Sequence, residues 1–133
     1  MDEPTVTATL TLSQARVVMR ALNLYSRLHM GQVDELMFLF GYRRTFDREQ
    51  VRSIIRELRA RLFPELSANE YYSVSDEHVG DGRDAWDVQQ AMRYAVAWHL
   101  HPEGGCTVDF NTPMRSSSAP LPVVTVTGKK GKE

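Results

Sequence analysis

The sequence is poor in cysteine and has no long apolar run. The 133-residue chain contains one cysteine, Cys106, which excludes an intramolecular disulfide and suits a reducing cytosol. No apolar run approaches the roughly 18 residues that a membrane span needs. The start, Met-Asp-Glu-Pro, lacks the basic and then apolar layout of a signal peptide. We therefore expect a cytosolic protein without targeting information.

Net charge, internal repeats and nucleotide-binding signatures are also lacking. Sixteen basic and 17 acidic residues give a net charge of −1, so no global attraction to nucleic acid or to an anionic membrane is expected. No Walker, Rossmann or hydrolase-elbow pattern occurs. The length fits one domain, which we place at 1–127. The lysine-rich residues 128–133 have nothing to pack with and are expected to form a flexible basic tail.

Threonine-rich alternation at both ends of the chain predicts strands. Apolar residues and threonine alternate over 5–12, and 121–127 has a similar Thr-Val character. Shorter strands are predicted at 106–110 and, less regularly, at 71–74. With helices between them, the layout predicts an α+β fold. A small, mostly antiparallel sheet from the chain ends would be covered by three to four helices.

Helical periodicity marks the middle of the chain. Three helices are predicted. The first covers residues 14–30, the second begins after the N-cap Asp47 and ends at Pro64, and the third covers residues 85 to about 101. In the second of these, an inner stripe is predicted from the apolar residues Val51, Ile54, Ile55, Leu58 and Leu62. The strongly apolar segment 36–40 is interpreted as a buried helical turn or as a docking surface.

Charge is distributed unevenly along the chain. Residues 43–61 carry seven arginines and three acids, a net charge of +4, and residues 65–87 carry seven acids and one arginine, a net charge of −6. Arg48, Arg52, Arg56 and Arg59 fall on the outer face of the predicted helix, where guanidinium groups can clamp phosphates or carboxylates. This face is interpreted as solvated or paired within the chain, as a contact with another subunit or partner, or as a nucleic-acid surface.

Two groups of residues have the composition of a metal or catalytic site but not the spacing. His99, His101, Cys106 and Asp109 include zinc-type ligands, yet residues two apart on a helix point in different directions and no second Cys or His pair exists. A Cys-His nucleophile pair is equally weak, because Cys106 does not begin a helix. The three aspartates near residue 84 (Asp81, Asp84 and Asp87) bracket a helix start, where the dipole favours acids, and are not interpreted as a magnesium site.

The favoured candidate site combines a glycine turn with a serine-rich loop. Gly104 and Gly105 can free backbone N–H groups to form an anion nest, and the loop supplies a guanidinium and hydroxyls from Arg115, Ser116, Ser117 and Ser118. Arg52 and Arg56 would add charge. This mix suits phosphate or a nucleotide-like ligand. The alternative is a tight turn followed by an ordinary flexible loop.

One stretch resembles a known group of proteins. Residues 94–115 contain the pattern Ala-Trp-His-x-x-Pro-Glu-Gly-Gly and then Val-Asp-Phe-x-x-Pro-Met-Arg-Ser. With this pattern they resemble small accessory proteins encoded in tailed-phage genomes, and residues 24–32 share the resemblance. The resemblance covers about a third of the chain. It implies a phage protein of the kind that inhibits a host enzyme or counters a defence system in the host cytoplasm. It assigns no catalytic residue.

The sequence thus leads to a hypothesis of a non-enzymatic, homo-oligomeric binding protein without a cofactor or a metal. It would hold or sequester a phosphorylated, nucleotide-like ligand. One alternative is a protein–protein inhibitor that acts through the arginine face or the 36–40 segment. Another is a small hydrolase with His99 or His101 as its base.

Overall fold

Four α-helices and one short 3₁₀ helix make up the regular structure of the described residues. The computed structural model describes residues 3–105 and 112–128. The helices are α1 (Leu12–His29), α2 (Glu35–Leu39), α3 (Arg48–Leu62) and α4 (Gly82–Leu100), with the 3₁₀ helix at Glu77–Val79. None of the described residues forms a strand. Within the same ranges, no helix combines the length and apolar character needed to cross a bilayer.

The predicted α+β fold with an antiparallel sheet is therefore wrong, and the described chain is all-helical. Residues 3–10 and 121–127 have no regular secondary structure, and neither makes a backbone–backbone hydrogen bond to another described residue. Residues 71–74 contain no strand either. Alternating threonine and valine favours strands only where a partner and a core face exist, and neither 3–10 nor 121–127 has a strand partner among the described residues. The predicted strand at 106–110 and most of the predicted tail lie outside the described residues.

A capping box fixes the start of α1. The Thr11 hydroxyl accepts from Gln14 N at 3.1 Å, and the Gln14 side chain accepts from Thr11 N at 2.9 Å. The helix ends at the C-cap Met30, and Gly31 follows with φ +93°. A Cβ at Gly31 would lie 2.9 Å from Leu66 Cδ1, the end of a flexible side chain, so it is the backbone conformation that requires glycine here.

The most extensive helix–helix contact joins α1 to α4. Gly82 begins α4 where a Cβ would approach Val79 Cγ1 to 2.8 Å and His29 Cβ to 3.0 Å. Val79 and Ser26 are fully buried in this region, and the Ser26 hydroxyl donates to the Asn23 carbonyl. Asp81, the N-cap of α4, makes no capping hydrogen bond with its side chain; it accepts from the Tyr25 hydroxyl at 2.8 Å. The start of α4 is thus tied to α1.

A second packing unit joins α2 to α3. Val33, Met37 and Ile55 form its buried cluster, with partly buried apolar neighbours at Leu36, Phe46, Val51 and Phe63. The Asp47 carboxylate caps α3 by accepting from Gln50 N at 3.1 Å, as the sequence predicts. Of the apolar stripe predicted for α3, only Ile55 is buried. Phe38, Leu39 and Phe40 of the apolar segment are exposed.

Candidate functional site

A groove separates α2 from α3. One wall is formed by Asp34, Met37, Phe38 and Gly41, and the other by Arg48, Arg52, Ile55 and Arg56. These spacings of three and four residues place each set on one face of its own helix or helix end. The enclosed volume is about 400 Å³, with an apolar floor and three guanidinium groups. We call this site the α2–α3 groove.

The Arg48 guanidinium makes contacts within the chain that hold the groove together. Its guanidinium carbon lies 4.8 Å from the centroid of the Phe46 ring, and its Nη2 donates to the Gly41 carbonyl at 3.2 Å. A longer contact of 3.5 Å reaches the Arg43 carbonyl. Arg48 therefore holds the connection between α2 and α3 against the start of α3.

The Arg59 guanidinium also bonds within the chain, on another side of α3. Its Nε donates to the Gly31 carbonyl at 2.9 Å and its Nη1 to the Ser67 carbonyl at 3.1 Å, and Nη2 contacts the Glu70 carbonyl. One guanidinium thus joins α3 to the turn after α1 and to the segment that follows α3. Such a group is a structural crosslink with few donors left for a ligand.

Arg52 and Arg56 differ from these two residues. Both are exposed on the groove wall, and neither makes a hydrogen bond or ion pair with any residue in 3–105 or 112–128. The neighbouring acidic segment does not neutralise them: throughout 65–87, all of which the structure describes, no carboxylate forms an ion pair with an arginine of α3. The predicted arginine face therefore contains two structural arginines and two with all their donors available.

The serine loop is built around a buried carboxylate. Asp87, on α4, is 3% exposed, and its Oδ1 accepts from Ser116 N at 2.6 Å. The Ser116 hydroxyl lies 2.9 Å from the same oxygen and 3.2 Å from the Arg83 carbonyl, and the Ser117 hydroxyl donates to Oδ2 at 3.3 Å. These donors satisfy a charge that would be costly to bury alone.

Arg115 turns towards its own loop. Its Nε donates to the Ser117 carbonyl at 2.8 Å, and its Nη2 contacts the Ala119 carbonyl. The guanidinium thus closes the loop over residues 115–119, while Ser116 and Ser117 fasten it to α4. The donors expected to face a phosphate are largely engaged within the chain.

The glycine turn follows the other end of α4. Gly104 and Gly105 have φ of +83° and +89°, and Gly104 N donates to the His101 carbonyl at 3.0 Å. Asp87, which anchors the serine loop, precedes Leu100 by 13 residues, or about 20 Å along the helix axis. The two halves of the predicted site are therefore anchored near opposite ends of α4, and a shared ligand site between them stays a prediction.

The metal-like residues do not form a metal site within the part of the chain that is described. Among 3–105 and 112–128, no three His, Cys, Asp or Glu side chains converge on a point that could hold a metal ion. Cys106 and Asp109 lie outside these ranges, so the interpretation that joined them to His99 and His101 stays a prediction.

The sequence analysis missed a cluster at Tyr72 and His78. The two rings stack with centroids 4.8 Å apart and an interplanar angle of 4°. The Tyr72 hydroxyl donates to Glu65 Oε2 at 2.5 Å, which raises the pKa of Tyr72 to about 12. His78 Nδ1 lies 2.7 Å from Asp76 Oδ1, and this hydrogen bond raises the pKa of His78. The cluster is partly to fully solvent-exposed, and no nucleophile among the described residues hydrogen-bonds to the His78 ring, so we assign the cluster to stabilising the connection before α4.

Comparison of the chain with protein-family models, with curated proteins and with solved structures finds no match. The groove and its arginines are therefore interpreted from their own geometry.

Proposed function

We propose that the protein is a non-enzymatic binding protein that holds a phosphorylated, nucleotide-like ligand in the α2–α3 groove. The observation that carries this proposal concerns the hydrogen-bond donors of Arg52 and Arg56. Two neighbouring guanidinium groups face an open groove without any partner among the described residues. Guanidinium groups bind phosphate through paired N–H donors, so an anion would gain charge-assisted hydrogen bonds without breaking existing ones.

The remaining groove residues suit the other parts of a nucleotide. The volume of about 400 Å³ lies within the range of small-molecule sites. Phe38 is largely exposed at the edge and offers a ring for a base to stack on. The Asp34 carboxylate can accept from a ribose hydroxyl or a base amino group. Phosphate would lie on the α3 wall and the base on the α2 wall.

The groove lining favours binding over turnover. It contains no histidine, lysine, cysteine or serine, and Asp34 is its one carboxylate. General acid–base or nucleophilic catalysis needs an activated group within hydrogen-bond reach of the reacting atoms. The lining offers arginines for charge and apolar side chains for contact.

The biological setting rests on the resemblance to tailed-phage accessory proteins alone. In that setting the protein would act in the host cytoplasm, and holding a nucleotide-like signal would remove it from a host defence pathway. In this setting the proposed function is counter-defence by sequestration of the ligand.

Isothermal titration calorimetry with ADP, adenosine and pyrophosphate tests the proposal. We expect ADP to bind more tightly than adenosine, and the double variant Arg52→Ala/Arg56→Ala to weaken ADP binding by at least about tenfold. Arg115→Ala, which alters the serine loop, is the matched control and should bind like the wild type. Loss of binding in Arg115→Ala with retention in the double variant would move the site to the serine loop.

A protein partner is the second candidate function, and the exposed aromatic rim favours it. Phe38, which lines the groove, is 74% exposed, and Tyr42, which follows the groove residue Gly41 in the chain, is 77% exposed. Aromatic and arginine side chains dominate the energetics of protein interfaces. In a pull-down from host extract, Arg52→Glu with Arg56→Glu should lose such a partner. Tyr42→Ala should lose the partner while keeping ADP binding, which separates the two candidates.

A further inference from the structure

Asp34 supplies the carboxylate among the described lining residues of the α2–α3 groove. It occupies the N-cap position of α2 but makes no capping hydrogen bond with its side chain, whereas the Asp47 carboxylate at the same position of α3 does. The Asp34 side chain forms no ion pair or hydrogen bond with any residue in 3–105 or 112–128. Both of its oxygens are therefore available to a ligand. We propose that Asp34 pairs with a guanine base and so makes the groove selective for guanine nucleotides.

Asp34 and Phe38 lie one helical turn apart on the same wall of the groove. The backbone of Asp34 is helical, with φ −65° and ψ −12°, so its side chain neighbours that of Phe38 at a spacing of four residues. The Cβ atoms of such neighbours are about 5–6 Å apart, a distance similar to the width of a base. A base that stacks on the exposed Phe38 ring therefore extends a polar edge towards the Asp34 carboxylate.

Guanine is the standard base whose pairing edge matches a carboxylate. An ionised carboxylate accepts hydrogen bonds through two oxygens and donates none. The Watson–Crick edge of guanine carries two adjacent donors, N1–H and the N2 amino group. The base and the carboxylate can therefore form two parallel hydrogen bonds, in the way that a guanidinium and a carboxylate do.

The other bases place an acceptor against the same carboxylate. Adenine carries its N6 amino group beside the N1 lone pair, and cytosine carries its N4 amino group beside the N3 lone pair. The N3–H of uracil lies between two carbonyl oxygens. Each of these bases forms one hydrogen bond to the carboxylate and opposes a lone pair to its second oxygen. Selectivity thus comes from repulsion of the wrong base as well as from attraction of the right one.

The charges of the two walls also fix the direction in which a nucleotide binds. Asp34 gives the α2 wall a negative charge, and Arg48, Arg52 and Arg56 give the α3 wall a positive charge. Phosphates are attracted to the α3 wall and repelled from the α2 wall, whereas a base edge with two donors is attracted to the α2 wall. The selectivity for guanine rests on the proposed function, in which Arg52 and Arg56 hold the phosphates.

Isothermal titration calorimetry with GDP, IDP and ADP tests the selectivity. Hypoxanthine, the base of IDP, keeps the N1–H of guanine and lacks the N2 amino group. We expect affinity to fall in the order GDP, IDP, ADP, with GDP at least about tenfold tighter than ADP. Equal affinities for GDP and ADP that both fall in Arg52→Ala/Arg56→Ala would overturn the selectivity and leave the phosphate site standing. Absence of binding by all three nucleotides would overturn both.

Asp34→Asn tests the residue itself, because an amide has one acceptor and one donor on its pairing side. That pattern complements the N6 amino group and N1 of adenine, so the ratio of GDP to ADP affinity should fall by at least about tenfold. The ratio is the readout, since removing a negative charge favours the phosphates of both nucleotides.

Glu35→Gln is the matched control for this substitution. It removes the same charge at the next residue, which does not line the groove and pairs with Arg27 at 3.7 Å. The ratio of GDP to ADP affinity should stay at the wild-type value in this variant. An unchanged ratio in Asp34→Asn, or an equal fall in Glu35→Gln, would overturn the role of Asp34.

Discussion

The serine loop on α4 and the α2–α3 groove are made from similar residue types, but they use their donors differently. In the loop, Ser116 and Ser117 donate to Asp87, and Arg115 donates to carbonyls of the loop itself. In the groove, Arg52 and Arg56 donate to no described residue. The loop has the composition of an anion site and holds an internal carboxylate. Arg52 and Arg56 in the groove have no acceptor among the described residues.

The comparison shows that donor chemistry alone does not identify a ligand site. A donor is available to a ligand only when the fold offers it no acceptor, because an internal hydrogen bond must be broken before a ligand can form its own. Asp87 takes the place of a phosphate for the serine loop. Substitutions that remove such internal acceptors should therefore affect stability, and substitutions in the groove should affect binding.

Asp87→Ala should have the largest effect on stability. It removes the acceptor of the Ser116 N–H and of two hydroxyls in a partly buried position, and each donor that is left unsatisfied is unfavourable. We expect a loss of about 2–3 kcal/mol in the free energy of unfolding, measured by urea denaturation.

The control for this prediction is Asp84→Ala, three residues earlier on the same helix. Asp84 is exposed and its side chain bonds to no residue within 3–105 or 112–128, so its removal should cost under about 1 kcal/mol, mainly through the helix dipole. Equal losses for the two variants would mean that the contact between the loop and α4 contributes little to stability.

Arg59→Ala compared with Arg56→Ala repeats the comparison within one helix. Arg59 donates to the carbonyls of Gly31, Ser67 and Glu70, whereas Arg56 has no acceptor among the described residues. We expect Arg59→Ala to lower the free energy of unfolding by about 1.5–3 kcal/mol, and Arg56→Ala to change it by less than about 0.5 kcal/mol. Thermal and urea denaturation of the two variants would measure the difference, and a reversed order would contradict it.

The smallest expected effect comes from the exposed pair of His78 and Asp76. Their side-chain hydrogen bond raises the pKa of His78 above its ordinary 6.5. The backbone N–H of His78, which donates to the Asp76 carboxylate, and then the same side-chain hydrogen bond lower the pKa of Asp76 below its ordinary 3.8. The stabilisation from His78 is complete below about pH 6.5 and is lost as pH rises through the raised pKa of the folded state. The stabilisation from Asp76 is present above about pH 3.8 and is lost as pH falls through the lowered pKa.

The pair should therefore stabilise the fold most between these two limits. An NMR titration of the His78 ring protons should give a pKa above that of the same residue in an Asp76→Asn variant. A pKa that is unchanged by the substitution would show that the pair does not form in solution.

The helices could be predicted from the sequence because their signals are local. The apolar spacing of α1, α3 and α4 and the cap at Asp47 depend on residues within a few positions of one another. The capping box of α1 is equally local, since Thr11 and Gln14 are three residues apart.

The α+β fold class was a wrong prediction because a sheet depends on partners far along the chain. Thr-Val alternation at 5–12 and 121–127 gives β-propensity, but helix α1 takes Leu12 and no described strand lies beside either segment. The burial of the apolar residues of α3 could not be predicted from the local sequence either. The helical periodicity fixes which residues share a face, whereas only tertiary packing decides that Ile55 is buried and that Ile54, Leu58 and Leu62 are exposed.

The candidate site could be predicted in part. Arg52 and Arg56 are marked by their helical spacing, but their availability depends on the absence of an acceptor in the folded chain. Asp87 was interpreted as a residue that favours a helix start, since nothing in the local sequence indicates that a loop 29 residues later covers it. The fold decides which charged side chains bond within the chain and which stay available to a ligand.

An NMR titration of the ¹⁵N-labelled protein with ADP tests the central distinction most directly, because arginine Nε–H signals report each guanidinium separately. We expect the signals of Arg52 and Arg56, together with the amides of α2, to shift on titration. The signals of Arg115 and the amide of Ser116 should stay in place, since Ser117, Ala119 and Asp87 already hold their donors. Shifts concentrated at residues 112–119, with Arg52 and Arg56 unchanged, would contradict the assignment of the groove as the site.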